Sequence, residues 1–268
     1  HTISPWMLPY LRDRPIVLPR YPDGIHGKSF FQKDAPAFAP KWLRIVPVPG
    51  DEGERTLSYF SCDNEETLLY LANSGSIPLH IWSSRFANLE RPDWCILDLD
   101  PKEAPFEHVI EVAQAAKELC DDIGLPLHVK TSGSSGIHLL VPLGGLLDHE
   151  GSKALGELLA RVLIQRVNRI ATITRQVERR GGKVYIDYLQ NGRGKLLVAP
   201  YSVRPLPGAP VSMPLEWSEV EPGLDIRQFT IRSAPRRVAE WKGDPLAPVL
   251  TESPDLLSAL GALQERLA

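Results

Sequence analysis

Asp98 and Asp100 close the run Trp94-Cys95-Ile96-Leu97-Asp98-Leu99-Asp100-Pro101, an apolar stretch with two carboxylates spaced i, i+2. On a β-strand, side chains alternate between faces, so both carboxylates point the same way. Side by side they repel each other unless something positive lies between them. A divalent ion with a taste for hard oxygen ligands, Mg²⁺ or Mn²⁺, meets that need. Asp100 precedes Pro101 and has a second reading as the start of a turn. That reading leaves out Asp98, which sits inside the apolar strand and needs a partner. The run Lys183-Val184-Tyr185-Ile186-Asp187-Tyr188 carries a third carboxylate suited to the same site.

Other residue types with chemical potential lie along the chain. Thr131-Ser132-Gly133-Ser134-Ser135-Gly136 leads into Ile137-His138. Glycines let backbone N–H groups approach an anion, hydroxyls add donors, and His138 starts the return strand. His80 lies in Leu79-His80-Ile81-Trp82, and Phe30-Phe31 stand between Lys28 and Lys33. Adjacent aromatics flanked by cations make a platform on which a base stacks. Each feature has a plain alternative: a hairpin turn, a hydrogen-bonded core histidine, core aromatics. Consecutive strand residues cannot both face one core, however, so one of the two phenylalanines needs another explanation. In Asp187-Tyr188-Leu189-Gln190-Asn191-Gly192-Arg193-Gly194-Lys195, amides and cations stand beside the third carboxylate, as a triphosphate site with metal requires. A D-x-D strand end also occurs in aspartate-nucleophile phosphatases, but these want Thr or Val where this chain has Lys102.

Period-2 runs predict strands over Thr56–Ser61, Ile77–Ser83, Trp94–Leu99, Leu127–Thr131, Ile137–Val141, Val184–Tyr188 and Leu196–Ala199. The third-last and fourth-last of these (127–131 and 137–141) should pair across the Gly/Ser turn. The last two should pair around Asn191-Gly192-Arg193-Gly194. Helical spacing predicts helices over Glu65–Asn73, Pro105–Ile123, about Gly151–Ile170 and Asp255–Leu267, with Gly75 and Gly124 as stops. Pro205 to Pro214 should be irregular. Hairpins with helices set between them indicate α+β (mixed α/β) with a largely antiparallel sheet. There is no G-x-G-x-x-G or P-loop signature.

The 268 residues, 43% of them hydrophobic, can bury a sizeable core, and no apolar run approaches the roughly 20 residues of a membrane span. No membrane association, no signal peptide and a cytoplasmic location are therefore expected. Cys62, Cys95 and Cys120 are odd in number, lie far apart and form no C-x-x-C pair, which argues against a zinc site and a disulfide framework. Net charge is −3, yet Arg161 to Arg204 holds ten basic residues against Glu178 and Asp187, a local +8. Such asymmetry marks a surface for a polyanion or a solvated helix face.

Taken together, these runs resemble the polymerase domain of bacterial ligase D, in the archaeo-eukaryotic primase superfamily. The matching residues are Tyr21-Pro22-Asp23-Gly24, Phe30-Phe31-Gln32-Lys33, His80-Ile81-Trp82, Pro92-Asp93 with Asp98-Leu99-Asp100-Pro101, Thr131-Ser132-Gly133 through Gly136-Ile137-His138, and Asp187-Tyr188-Leu189-Gln190-Asn191 with Gly194-Lys195. Pro200-Tyr201-Ser202-Val203-Arg204 and Gly243-Asp244-Pro245 extend the match over nearly the whole chain. The resemblance implies one primase-polymerase catalytic domain over residues 1–268, with a central sheet flanked by helices. It implies template-directed addition of NTPs or dNTPs to a primer 3′-hydroxyl, with two Mn²⁺ or Mg²⁺ ions, at DNA gaps and broken ends in non-homologous end joining. Ku and a DNA ligase, fused or separate, are the implied partners.

Carried over position by position, Asp98, Asp100 and Asp187 match metal-binding catalytic carboxylates. His80, Ser132, His138, Gln190, Lys195 and Arg204 match nucleotide contacts. Phe30 and Phe31 match a template-facing pair with Lys33 beside it, and Arg44 matches an active-site arginine. The sequence departs at Ser135, where several relatives have Lys, and in opening on His1, from which a missing N-terminal family segment with 5′-phosphate contacts is expected. A non-catalytic module that bridges DNA ends is the competing reading, and a metal phosphatase a weaker third.

Overall fold

The computed structural model describes residues 1–50 and 54–267. The first half of the chain supplies strands β1 (Ile16–Arg20), β2 (Phe30–Gln32), β3 (Ile45–Val48), β4 (Leu57–Phe60), β5 (His80–Ile81), β6 (Ser84–Arg85), β7 (Asn88–Pro92) and β8 (Trp94–Asp100). The second half supplies β9 (His128–Thr131), β10 (Ile137–Pro142), β11 (Ala171–Thr172), β12 (Val184–Asp187), β13 (Leu197–Val198) and β14 (Pro214–Leu215). Helices are α1 (Ser4–Leu11), α2 (Glu65–Asn73), α3 (Phe106–Asp122), α4 (His149–Val167), α5 (Ala234–Glu240) and α6 (Leu256–Leu267).

The strands build two six-stranded sheets and a small two-stranded one of β6 and β7. One large sheet runs β13-β5-β1-β4-β3, with β2 also on β1; the other runs β11-β12-β8-β10-β9-β14. Pairings among the described strands are antiparallel except β11 with β12. The fold is thus mixed α/β with largely antiparallel sheets flanked by helices, as the sequence indicates, although the single central sheet of that reading is two sheets.

Helices α3 and α4 pack against β8 and each other. Val109, Val112, Ala116, Leu119 and Cys120 on α3, and Leu155, Leu159, Val162 and Leu163 on α4, form their buried faces. In β8 the alternation is sharp: Leu97 and Leu99 are buried, while Asp98 and Asp100 keep partial exposure on the other face. Helix α4 starts two residues before the predicted Gly151 because Asp148 caps it, accepting the Gly151 N–H at 2.8 Å.

One predicted pairing is corrected. Leu197–Val198 does not pair with the strand holding Asp187. Instead β13 pairs with β5 in the other sheet, Val198 opposite His80. The 3₁₀ turn Leu189–Asn191 redirects the chain between them. Asn191 fixes that turn: its side chain exchanges hydrogen bonds with both the N–H and the C=O of Ile96 on β8, at 2.7 and 2.8 Å. The stretch from Pro205 is irregular as expected until Pro214 joins β14, an edge strand where a missing N–H is tolerated.

Candidate nucleotide and metal site

The register of the second sheet places one residue from each strand in a single row. Asp187 on β12 lies opposite Asp98 on β8, Asp98 opposite His138 on β10, and His138 opposite Lys130 on β9. Directly opposed residues share a face and a close Cβ–Cβ distance. The row therefore runs acid, acid, imidazole, amine across the sheet. Asp100, two residues beyond Asp98, shares that face.

A cavity of about 370 Å³ opens over this row. Its walls include His80, Asp98, Asp100, Ser132, His138, Asp187, Gln190 and Arg204 from the sequence reading, together with Ser135, Arg180 and Tyr185. Eight of the expected residues, drawn from positions 80 to 204, thus meet in one place. Lys195 is exposed and lies outside that wall.

The electrostatics follow from crowding acids. Burial, then the neighbouring Asp187 and Asp100 carboxylates, push the Asp98 carboxyl up from 3.8 to about 7. The other two acids are held by nearby donors. Asp187 accepts from the Leu189 N–H at 2.9 Å and from Gln190 Nε2 at 3.0 Å. Asp100 accepts from Arg180 Nη1 at 3.0 Å, and that guanidinium lies over the Tyr185 ring at 4.1 Å. Among the described residues no three His, Cys, Asp or Glu side chains are gathered closely enough to hold an ion. The donor set nevertheless fits one in kind. All three groups are hard carboxylates lining one cavity, and Asp98 bears the mutual repulsion that a cation would relieve.

Donors and cations line the same cavity. His80 Nδ1 and Arg204 Nε are buried without a hydrogen-bond partner. Burial, then Arg204 and Lys130, bring the His80 imidazole down to about 4, so it is neutral at physiological pH. Ser132 Oγ accepts the N–H groups of Ser134 and Gly136, at 3.1 and 3.0 Å, which leaves its own proton free to donate. His138 Nε2 stands 3.5 Å from Asp98 Oδ1, and its Nδ1 is 2.8 Å from Lys130 Nζ. An anion entering this cavity meets the Ser132 hydroxyl and the Arg204 side chain as well as the carboxylates.

Phe30 and Phe31 lie outside the cavity, 52% and 67% exposed, on β2. With Lys33 and Arg55 they line a second, open cavity of about 600 Å³. The Phe31 ring stacks near His80, centroids 6.5 Å apart and 27° from parallel, so the platform adjoins the acid cavity. Arg44 lines neither cavity; it bridges Asp13 and Asp63, at 2.7 and 3.1 Å. Sequence reasoning passed over Arg180 and Lys130. Arg180 was one of ten basic residues in a run. Lys130 had as its only signal the strand alternation that puts it on the same side as His138 across the hairpin.

Comparison with known proteins places this geometry. Residues 1–246 match the family model described as LigD, primase-polymerase domain. The chain is 39% identical over 240 residues to the multifunctional non-homologous end joining protein LigD of Pseudomonas aeruginosa, covering 87% of this chain and 28% of that protein. It is 31% identical over 238 residues to the bifunctional non-homologous end joining protein LigD of Bacillus subtilis, covering 88% and 38%. The solved polymerase domain of Mycobacterium tuberculosis ligase D, in complex with DNA, superimposes with a TM-score of 0.86 at 30% identity, over 94% of this chain and 90% of that one. The chain spans roughly a third of the length of these curated relatives. Among the described residues no helix is long and apolar enough to cross a membrane.

Proposed function

Because this chain belongs to the LigD primase-polymerase family, we propose that its acid cavity performs template-directed nucleotidyl transfer to a primer 3′-hydroxyl at gaps and ends of broken DNA. The observation that carries this reading is the cavity itself, lined by three carboxylates together with the side chains of His80, Ser132 and Arg204. That mix suits a triphosphate held by metal-binding acids and cationic protein groups.

Asp98, Asp100 and Asp187 would hold two divalent ions, Mn²⁺ or Mg²⁺. Those ions would supply an acidified 3′-hydroxyl and charge neutralisation of the triphosphate and the departing pyrophosphate. The chain's own residues do the rest. Gln190 and the Leu189 N–H hold Asp187 in orientation. The Ser132 hydroxyl, the Arg204 guanidinium and the neutral His80 ring offer donors to phosphate and sugar oxygens. Phe30 and Phe31, exposed and beside His80, offer stacking faces to template bases next to the reacting pair. The fixed placement of these groups converts binding into alignment of the attacking oxygen.

In the cell the reading extends to non-homologous end joining, with Ku and a ligase as partners and with NTPs or dNTPs as substrates. The test is extension of a gapped duplex bearing a 5′-phosphate, with one matched NTP or dNTP and with Mn²⁺ or Mg²⁺. Asp98→Ala and Asp187→Ala should each abolish product, while the wild-type chain extends. Extension by either variant near the wild-type rate would overturn the catalytic reading. End bridging without extension by the wild type would favour the non-catalytic module.

A further inference from the structure

We propose that Tyr201 is a positioning residue whose left-handed backbone, pinned by a box of aromatic rings, aims both His80 and Arg204 at the incoming nucleotide. The inference rests on the nucleotide reading of the acid cavity. Its physical basis is a backbone outlier at the point where the chain leaves β13 for Arg204.

Tyr201 has a φ of +65°. A residue with a Cβ disfavours that region, and a bulky one is an outlier there. Such a conformation persists only where the surroundings over-determine it. The Tyr201 ring is 4% exposed. Trp6 and Tyr10 of α1 and Trp241 just beyond α5 surround it, with centroids 6.3, 6.2 and 6.4 Å away. Asp244 closes the box. Its Oδ2 accepts the Tyr10 hydroxyl at 2.7 Å, and burial, then its charge, push the Tyr201 phenol up from the ordinary value. The backbone is held as well, since the Tyr201 N–H donates to the Ser212 carbonyl at 2.7 Å. Neither Tyr201 nor Asp244 lines the acid cavity.

What the bend achieves is visible one and three residues later. Ser202 Oγ accepts the Leu79 N–H at 2.9 Å, and the Ala199 N–H donates to the Leu79 carbonyl at 2.9 Å. Both backbone groups of the residue before His80 are thus gripped by the segment that Tyr201 bends. The Arg204 N–H donates to the Pro210 carbonyl at 2.7 Å. The Arg204 stem passes so close over the Ser132 turn that a Cβ on Gly133 would lie 2.8 Å from its Cγ. A side chain seated with that little clearance leaves its backbone no latitude. Were residue 201 to relax to negative φ, the chain beyond it would turn away, and Ser202 and Arg204 would leave these partners together. One dihedral therefore governs two of the groups that face the nucleotide.

The test compares Tyr201→Gly with Tyr201→Ala in the 268-residue chain. Both remove the ring, but only Ala keeps the Cβ that disfavours positive φ. Without the ring, the Ala backbone should abandon the left-handed region and the Gly backbone should still reach it. ATP binding is titrated calorimetrically with Mn²⁺ and without primer–template, and gapped-duplex binding is followed by fluorescence anisotropy. Apparent affinity falls with the fraction of molecules in the competent conformation, so Tyr201→Ala should bind ATP roughly tenfold more weakly than Tyr201→Gly. The two should bind the duplex alike. Equal ATP affinities would mean that the ring only fills space, and would overturn the proposal. Ser202→Ala removes one hydroxyl and should weaken ATP binding about fivefold with duplex affinity unchanged. Unchanged ATP affinity in that variant would overturn the proposal even if neither ring variant folds. A wild type that binds no ATP would instead sink the nucleotide reading, and this inference with it.

Discussion

Asp98 has an acid on either side of it, Asp187 across the sheet and Asp100 two residues along. Its raised pKa, caused first by burial and then by these neighbours, has a consequence for stability. The folded carboxyl keeps its proton up to about pH 7, whereas the unfolded chain releases it near 3.8. Stability from this group is therefore present below about pH 4 and lost as pH rises through 7. Chelator-treated Asp98→Asn protein should melt at a higher temperature than the wild type at pH 8 and at nearly the same temperature at pH 4. Added Mn²⁺ at pH 8 should raise the wild-type melting temperature and leave Asp98→Asn almost unmoved. A difference between the two proteins that stays flat with pH would show that Asp98 does not titrate this way. At this scale the acids were legible because strand alternation is a local rule. Lys130 and Arg180 were not, because each acquires its partner only through folding: a histidine across a hairpin for one, and an aspartate 80 residues away for the other.

The hairpin β9–β10 and strand β8 set the site geometry, and one residue shows how tightly they are fitted. A Cβ on Gly136 would come 2.1 Å from the Leu99 carbonyl, between the two acids of β8. Backbone cannot give way there without shifting Asp98 or Asp100. Gly136→Ala should cost about 2–4 kcal/mol in urea unfolding, as overpacking of a closed site does. It should lower extension activity even at temperatures where the variant stays folded. Gly261, inside α6 with no atom within 4 Å of an added Cβ, is the contrast. Gly261→Ala should stabilise by about 0.5–1 kcal/mol through helix propensity and chain entropy. Equal effects of the two substitutions would mean that the close approach at Gly136 is not a constraint. Helices α2 and α3 and strands β8 to β10 were readable from periodicity because each buries one face against a neighbour. The β12–β13 pairing was misread because the turn between them looks like a hairpin in sequence. What redirects it is the side-chain staple from Asn191 to Ile96, which has no local signature.

Over the whole molecule, charge is the property that the sequence overstates. The stretch from Arg161 to Arg204 carries +8 within a chain of net charge −3. Folding pairs part of it: Arg166 with Asp122 at 2.9 Å, Arg161 with Glu157 at 3.7 Å, Arg180 with Asp100 at 3.0 Å and Arg193 with Glu90 at 3.2 Å. Arg175 and Arg179 are exposed on the segment that leads to Arg180 and hence to the cavity rim. If DNA reaches the acids along this side, those two arginines meet phosphates, whereas Arg161 and Arg166 remain engaged on the helix. Each phosphate neutralised contributes about 0.9 to the slope of log affinity against log salt. Replacing Arg175 and Arg179 together by Ala should therefore flatten that slope by about 2 for a gapped duplex, measured by fluorescence anisotropy across a salt series. Replacing Arg161 and Arg166 together should change it by less than half as much. The two double variants alter net charge equally, so a general field would reduce both slopes alike. Only discrete contacts beside the acid cavity separate them, and equal slopes would move the DNA path to another face.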